Sequence, residues 1–320
     1  MEEKKSRISL DNKKIWVVGH NGMVGNSILK KLEKYKSNIL VTEKKDLDLR
    51  CQEKVLNWMK RKKPEVIFLA AAKVGGIAAN MSFPRDFLYD NVMISFNIIN
   101  SAKLINVDKL VYLGSSCIYP KNVKQPFVED SLLNGELETS NQWYSLAKIA
   151  GIKLCEAFRI QDNCNFISVT PTNLYGPMDK FDDVNGHVPA SLLNRFHLAK
   201  KNNLPNVTVW GSGTPLREFM YVDDLADACL FLAENYNSSQ PINVGSGHEI
   251  SIKNFANLVK EIVGYKGKII FDKSKPDGIK RKLLDSKKLK QMGWKPKISL
   301  KKGLKLFYKW YLNNQKTLRK

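Results

Sequence analysis

The chain lacks the features that mark several large protein classes. No apolar run approaches the roughly 18–20 residues that a helix needs to cross a bilayer, so no membrane span is predicted. The stretch Met1–Arg7 is charged and leads into no apolar segment with a small-residue cleavage site, which argues against a secretory leader. Cysteine is scarce: Cys51, Cys117, Cys155, Cys164 and Cys229 are odd in number, far apart and never form a CxxC pair. There are four histidines, none spaced to complete a zinc site, so neither a disulfide framework nor a structural metal is expected. The expected setting is a reducing cytoplasm. No internal repeat or low-complexity linker divides the chain.

What remains is ordinary globular material. The 320 residues are 43% hydrophobic and 26% charged, enough for one large domain or two intimate ones. Lys and Arg number 52 against 31 Asp and Glu, a net charge of +21. Such an excess suits nucleic acid, a membrane face or a polyanionic small molecule. Much of it sits in the last predicted helix, at Lys301, Lys302, Lys305, Lys309, Lys316, Arg319 and Lys320, and reads as a solvated face. No nucleic-acid-binding module is recognisable, so neither nucleic acid nor a membrane is expected as a partner.

Short β-branched runs alternate with longer helical patterns through the first half. Strands are predicted at Ile15–Val18, Ile39–Val41, Val66–Ala70, Lys109–Leu113 and Phe166–Val169, with helices at Met23–Lys34, Gln52–Arg61, Phe87–Leu104 and Tyr144–Gln161. That rhythm predicts an α/β fold with a doubly wound parallel Rossmann sheet. After Pro177 it becomes irregular: helices at Leu192–Lys201, Asp224–Asn235, Ile252–Val263 and Lys287–Met292, strands at Val207–Trp210 and Ile242–Val244. The reading is a cofactor domain over 1–177, joined by segments near 207–235. A smaller mixed α/β substrate domain covers 178–206 and 236–320.

Three motifs carry chemistry. Gly19-His-Asn-Gly22-Met-Val-Gly25 follows the first strand and opens a helix, where glycines let the backbone approach a pyrophosphate at the helix N-terminus. A plain turn is the bland alternative, and the position after the first strand weighs against it. Beyond the second strand, Glu43 suits the ribose hydroxyls of NAD, whereas Lys44 and Lys45 suit the 2′-phosphate of NADP. Tyr144 and Lys148 lie one helical turn apart. An ammonium there would bring the phenol's pKa down from about 10, making a general acid or base. Ser115, at the carboxyl end of the strand Lys109–Leu113, completes a constellation expected of a nicotinamide oxidoreductase.

With these residues in place, the sequence resembles the extended short-chain dehydrogenases, and within them the GDP-L-fucose synthase family. The resemblance is carried by Ala70–Ile77, Gly114–Pro120, Tyr144–Cys155, Pro171–Pro177, Val209–Phe219, Lys275–Gly278 and Arg281–Asp285. It implies an enzyme that inverts C3 and C5 of GDP-4-keto-6-deoxymannose and reduces C4 with NADPH. Position by position it implies Ser115, Tyr144 and Lys148 for reduction, with Cys117 and His187 as base and acid for epimerisation. If the strand stays extended past Ser115, the Cys117 side chain points the same way. NADPH contacts are implied at Gly19, Asn21, Gly22, Met23, Val24, Gly25, Lys44 and Leu49. Others are Leu113, Gly114, Ser116, Lys148, Pro171, Asn173, Leu174 and His187. Arg195, Trp210, Arg217 and Asp277 match positions that hold GDP, and a homodimer through Phe87–Leu104 and Tyr144–Gln161 is expected.

Departures are Asn21, in place of a basic residue, Met178, in place of His, and Val-Pro-Ala-Ser after His187. The rival readings are a C4 reductase for another GDP-4-keto sugar such as a heptose, and a non-catalytic NADP-binding sensor. Intact Ser115, Tyr144 and Lys148 weigh against the sensor, because a binder needs no proton donor.

Overall fold

The computed structural model describes residues 8–182, 186–275 and 277–319. The charged stretch Met1–Arg7 and Lys320 lie outside the described residues, as does Pro276 of the Lys275–Gly278 block.

Strands β1 (Lys14–Val18), β2 (Asn38–Leu40), β3 (Val66–Leu69), β4 (Lys109–Leu113) and β5 (Phe166–Pro171) form a parallel sheet with β9 (Ile242–Val244), in the order β2-β1-β3-β4-β5-β9. The central strands are buried along their whole length, as a parallel sheet covered on both faces requires. Alternation along β1 divides the core: Ile15 and Val17 point to one side, Trp16 and Val18 to the other. Helices α1 (Met23–Leu32) and α7 (Val222–Asn235) pack together on the first face. The second face carries α2 (Gln52–Lys62), α4 (Pro84–Leu104) and α5 (Gln142–Asp162), and the short α3 (Ile77–Ser82) precedes α4.

The chain leaves β1 for β2 on one side and crosses back to β3 on the other. The carboxyl ends of β1 and β3 therefore meet at a topological switch point, where open α/β sheets bind ligands. Nearby, α5 lies unusually close to β4. A Cβ at Gly151 would strike the ring and hydroxyl of Tyr112, so only glycine allows the approach that brings Tyr144 and Lys148 to the sheet's end.

A second unit is built on β8 (Leu216–Tyr221), which pairs with β6 (Asn173–Tyr175) and β12 (Arg281–Lys282) in parallel and with β10 (Glu249–Ser251) antiparallel. Strand β7 (Asn206–Trp210) pairs with β11 (Lys268–Asp272). Helices α6 (Val188–Lys201), α8 (Ile252–Val263) and α10 (Leu300–Asn313) share a third core around Phe196, Phe255 and Phe307. Ser251 caps α8 by accepting the Asn254 N–H, and the exposed lysines of α10 form a solvated face, with Lys301 bridged to Glu261 at 2.8 Å. No helix among the described residues is long and apolar enough to cross a membrane.

Several expectations are corrected. Strand Ile242–Val244, placed by sequence in the second domain, extends the main sheet beside β5, because its three residues are fully buried there. The short α9 (Lys287–Gln291) follows it, packing Leu289 into the first core. Strand β7, expected to return to the first domain, pairs with β11 in the second unit, while α7 does lie on the main sheet. Helix α6 begins at Val188 and not Leu192, since Pro189 fits a helix's first turn, as Pro84 does in α4.

Candidate functional site

A cavity of about 1180 Å³ opens at the carboxyl ends of β1, β3, β4 and β5 and continues beneath the second unit. Pockets for one small ligand usually measure roughly 300–1,000 Å³, so there is space for two ligands side by side. The catalytic, cofactor and GDP-binding residues implied by the resemblance line it, as do Glu43 and Lys44, whereas Lys45 does not.

At one end, Gly19 follows β1 with φ +87°, and a Cβ there would lie 2.7 Å from the Ala71 nitrogen. The loop is thereby pressed against the chain leaving β3. The Gly22 N–H donates to the Gly19 carbonyl (2.9 Å), and α1 starts with neither a side-chain cap nor an acidic residue in its first turn. Uncapped N–H groups with a positive dipole end suit an anionic phosphate. Glu43, beyond β2, accepts from Asn21 Nδ2 at 3.0 and 2.9 Å and lies 3.2 Å from His20 Nε2. The Asn21 hydrogen bond in particular holds its carboxyl below the usual range, with His20 and Lys45 adding to it. Lys44 lines the same end.

In the middle, the extended course expected after Ser115 stops. Ser115 itself is extended, but its Oγ accepts the Cys117 N–H (3.3 Å) and caps a single 3-10 turn, Ser116–Ile118. Ser145 Oγ donates to the Cys117 carbonyl (2.9 Å), tying that turn to α5. Lys148 also departs from expectation. Its amine donates to the Leu113 carbonyl at 2.7 Å and lies 5.8 Å from the centre of the Tyr144 ring, and burial lowers its pKa to about 7. The Tyr144 phenol is correspondingly not brought down. Burial pushes it above its ordinary value, the Cys117 charge adds to the rise, and only the Ser115 hydrogen bond opposes it. At neutral pH the phenol is a proton carrier in its protonated form.

Two charged contacts flank this cluster. Lys282 Nζ donates to Cys117 Sγ at 3.1 Å. Burial alone would raise the thiol, but the Lys282 charge, the Ser115 hydrogen bond and His187 outweigh it, and the thiol lies below its ordinary value. His187, at the N-cap position of α6, sits 2.8 Å through Nδ1 from Asp179 Oδ1. A carboxylate only accepts, so Nδ1 carries the proton and Nε2 is left for the cavity. The Asp179 charge raises the imidazole above its usual value against the effect of burial, helped by that hydrogen bond and by Cys117. The Asp179 side chain is 2% exposed whereas the His187 ring is 40% exposed, so the carboxylate is sealed and the ring accessible.

At the far end, Arg195 lies 5.7 Å from the centre of the Trp210 ring, as does Lys275 on its own contact with that ring. Arg217 Nη2 approaches the Asp277 carbonyl (3.4 Å), while the Asp277 carboxylate accepts from Ser212 N (2.6 Å) and Ser212 Oγ (2.7 Å). An exposed indole beside guanidinium groups suits a nucleobase and its diphosphate. Among the described residues no cluster of His, Cys, Asp or Glu could hold a metal ion.

Sequence reasoning passed over Lys282, Asp179 and Arg319. Lys282 was visible only as one basic residue in the Arg281–Asp285 block, and its contact crosses 165 positions of chain. Asp179 had a weak signal, eight residues ahead of His187. Arg319, counted within a basic run, lines the cavity and donates to the Met178 carbonyl (3.3 Å).

Comparison with known proteins gives this geometry a family. Residues 15–245 match the model of the NAD dependent epimerase/dehydratase family. A GDP-L-fucose synthase of Sinorhizobium fredii is 50% identical over 95% of this chain and 97% of its own. A GDP-L-fucose synthetase of Naegleria fowleri, solved bound to NADP, superposes with TM-score 0.92 at 29% identity, over 99% of each chain. A GDP-6-OMe-4-keto-L-xylo-heptose reductase of C. jejuni gives 0.91 at 36% identity, over 96% of this chain and 99% of its own. The chain belongs to the NAD dependent epimerase/dehydratase family.

Proposed function

We propose that this protein is an NADPH-dependent epimerase/reductase converting a GDP-4-keto-6-deoxymannose-type sugar to the GDP-L-fucose-type product. The observation that carries the reading is one cavity holding a phosphate-binding loop at one end, an indole–guanidinium site at the other, and Ser115, Tyr144, Cys117 and His187 between them. The curated relative at 50% identity supports the choice of sugar.

In this reading Gly19–Gly25 and Lys44 hold NADPH, which when bound supplies hydride to C4. Arg195 and Arg217 hold the diphosphate, Trp210 lies along the base, and Asp277 keeps the Ser212 loop in place. The C4 ketone makes the protons on C3 and C5 acidic. Cys117, as thiolate, takes such a proton, and the charge passes to the C4 oxygen as an enolate. His187, as imidazolium, returns a proton to the carbon. Once inversion is complete, Tyr144 delivers its proton to the C4 oxygen as hydride arrives, with Ser115 donating to the same oxygen.

A homodimer through α4 and α5 is part of the proposal, supported by the exposure of Tyr89, Leu146 and Ile160 on those helices. So is a cytoplasmic setting, which keeps Cys117 reduced. The test is incubation with GDP-4-keto-6-deoxymannose and NADPH in heavy water, with the product sugar identified by NMR. Deuterium at C3 and C5 with reduction at C4 is the expected result. Reduction of a GDP-4-keto sugar without deuterium at those carbons establishes the reductase-only alternative, the activity named for the more distantly similar C. jejuni reductase.

A further inference from the structure

We propose that Lys282 is a positioning residue for inversion, its ammonium reaching across from the second unit to hold Cys117 as a thiolate in the resting protein. The proposal rests on the reading of Cys117 as the epimerisation base.

The geometry favours a fixed delivery over a chance approach of a long side chain. Strand β12 is held firmly in place. Its backbone pairs in parallel with β8, setting Lys282 opposite Arg217. Arg281, which alternates to the other face, is fixed by Glu249 through Nε at 2.7 Å and Nη2 at 2.9 Å. Just beyond, the Leu284 N–H donates to the buried Glu218 carboxylate (3.1 Å). Lys282 is 8% exposed, and among the described residues no carboxylate lies within ion-pair distance of it. Its hydrogen-bond partner is the sulfur at 3.1 Å.

A buried ammonium lacking a carboxylate is stabilised by an anion in contact, and a thiolate is one. The converse also holds, since a contacting cation lowers a thiol's pKa and raises its population of nucleophilic, basic sulfur. The remaining groups around Cys117 are Ser115 on its own turn, Tyr144 from α5, His187 at the start of α6 and Arg217 from β8. None carries negative charge at neutral pH. Ser115 bonds the sulfur, while His187 and Arg217 act on it through charge at longer range. Lys282 is thus the cation in direct contact with the sulfur.

The experiment measures the pH dependence of Cys117 carboxamidomethylation by iodoacetamide, read by mass spectrometry of its own peptide so that the other four cysteines do not contribute. Unmutated protein, Lys282→Met and Lys282→Arg are compared, with circular dichroism as a folding control. The unmutated midpoint is expected below the roughly 8.5 of an ordinary thiol. Lys282→Met should move it up by a unit or more, a roughly tenfold loss of labelling rate at pH 7, and Lys282→Arg should restore most of it. Deuterium uptake at C3 and C5 should fall in parallel at pH 7, with its acid limb moving up alongside the labelling midpoint, which a purely structural or substrate-holding role would not produce. Exchange present, with a folded Lys282→Met protein whose midpoint is unmoved, overturns this proposal alone. Should Lys282→Met not fold, an unmutated midpoint at or above 8.5, or a Lys282→Arg variant without exchange but with normal labelling, overturns it equally. Exchange absent from the unmutated protein refutes the underlying assignment of Cys117 instead.

Discussion

Replacing Tyr144 by Phe removes one oxygen from the centre of the cavity and leaves the ring. The ring's edge contact with Phe87, at 6.4 Å between centroids, should survive, as should the packing of α5 against β4. The structural loss is the Ser115 hydrogen bond, and a single such bond contributes about 1 kcal/mol to stability. The catalytic loss should be far larger. Burial holds the phenol protonated, so it meets the C4 oxygen as a loaded acid, and positioned acids of this kind accelerate proton transfer about 10²–10⁴-fold. At 1.36 kcal/mol per tenfold, that is about 3–5 kcal/mol of barrier. The assay is NADPH oxidation at 340 nm with the GDP-4-keto substrate, alongside calorimetric binding of NADPH and GDP and a thermal melt. Reduction should nearly vanish, both ligands should still bind, and deuterium should continue to enter C3 and C5 because Cys117 and His187 are untouched. A variant retaining more than about a tenth of the reductase rate would refute the assignment, and the proton would have to come from elsewhere.

Other outcomes follow from the same geometry. Cys117→Ser should still oxidise NADPH but release a product reduced at C4 without inversion, with no solvent deuterium at C3 or C5 by NMR. Exchange at those carbons in the unmutated protein should be bell-shaped in pH. It rises as Cys117 ionises below the ordinary thiol value and falls as His187 loses its proton above the ordinary histidine value. Asp179→Asn removes the charge that raises His187, so the alkaline limb should move to lower pH while the acid limb stays in place. Lys44→Glu should raise the KM for NADPH and leave use of NADH intact or improved. The unmutated protein, with Asn21 and Glu43 at that end, should prefer NADPH only modestly, as a comparison of kcat/KM for the two cofactors would reveal.

The legible parts of the molecule were those whose physics is local. β1, β3, β4 and β5 announce themselves as short, mostly apolar runs, the glycine loop by its place after β1, and Tyr144–Lys148 by a one-turn spacing. What stayed hidden depends on chain paths that sequence patterns do not encode. Ile242–Val244 is too short to reveal which sheet it joins, and only its pairing with β5 decides. The turn after β4 is set by one Ser115 hydroxyl capping its neighbour's N–H, a choice that leaves no mark on periodicity. The Lys148 amine could have served Tyr144 or a carbonyl, and proximity to the Leu113 oxygen settles the matter only in three dimensions. Lys282 and Asp179 are ordinary charged residues until folding places them against Cys117 and His187.

The two half-reactions of the proposed mechanism are unequally distributed over the molecule. Ser115, Tyr144 and Lys148 all come from the first unit, from the end of β4 and one face of α5. In the proposed mechanism, inversion draws Cys117 from that unit but His187 and Lys282 from segments attached to the second. Changes confined to β12 or to the start of α6 can therefore silence inversion while the reductive trio stays whole. A scaffold of this kind can yield pure C4 reductases through drift on one side of the cleft, whereas the opposite loss, inversion without reduction, falls to changes in the first unit, at the end of β4 or on the cavity face of α5.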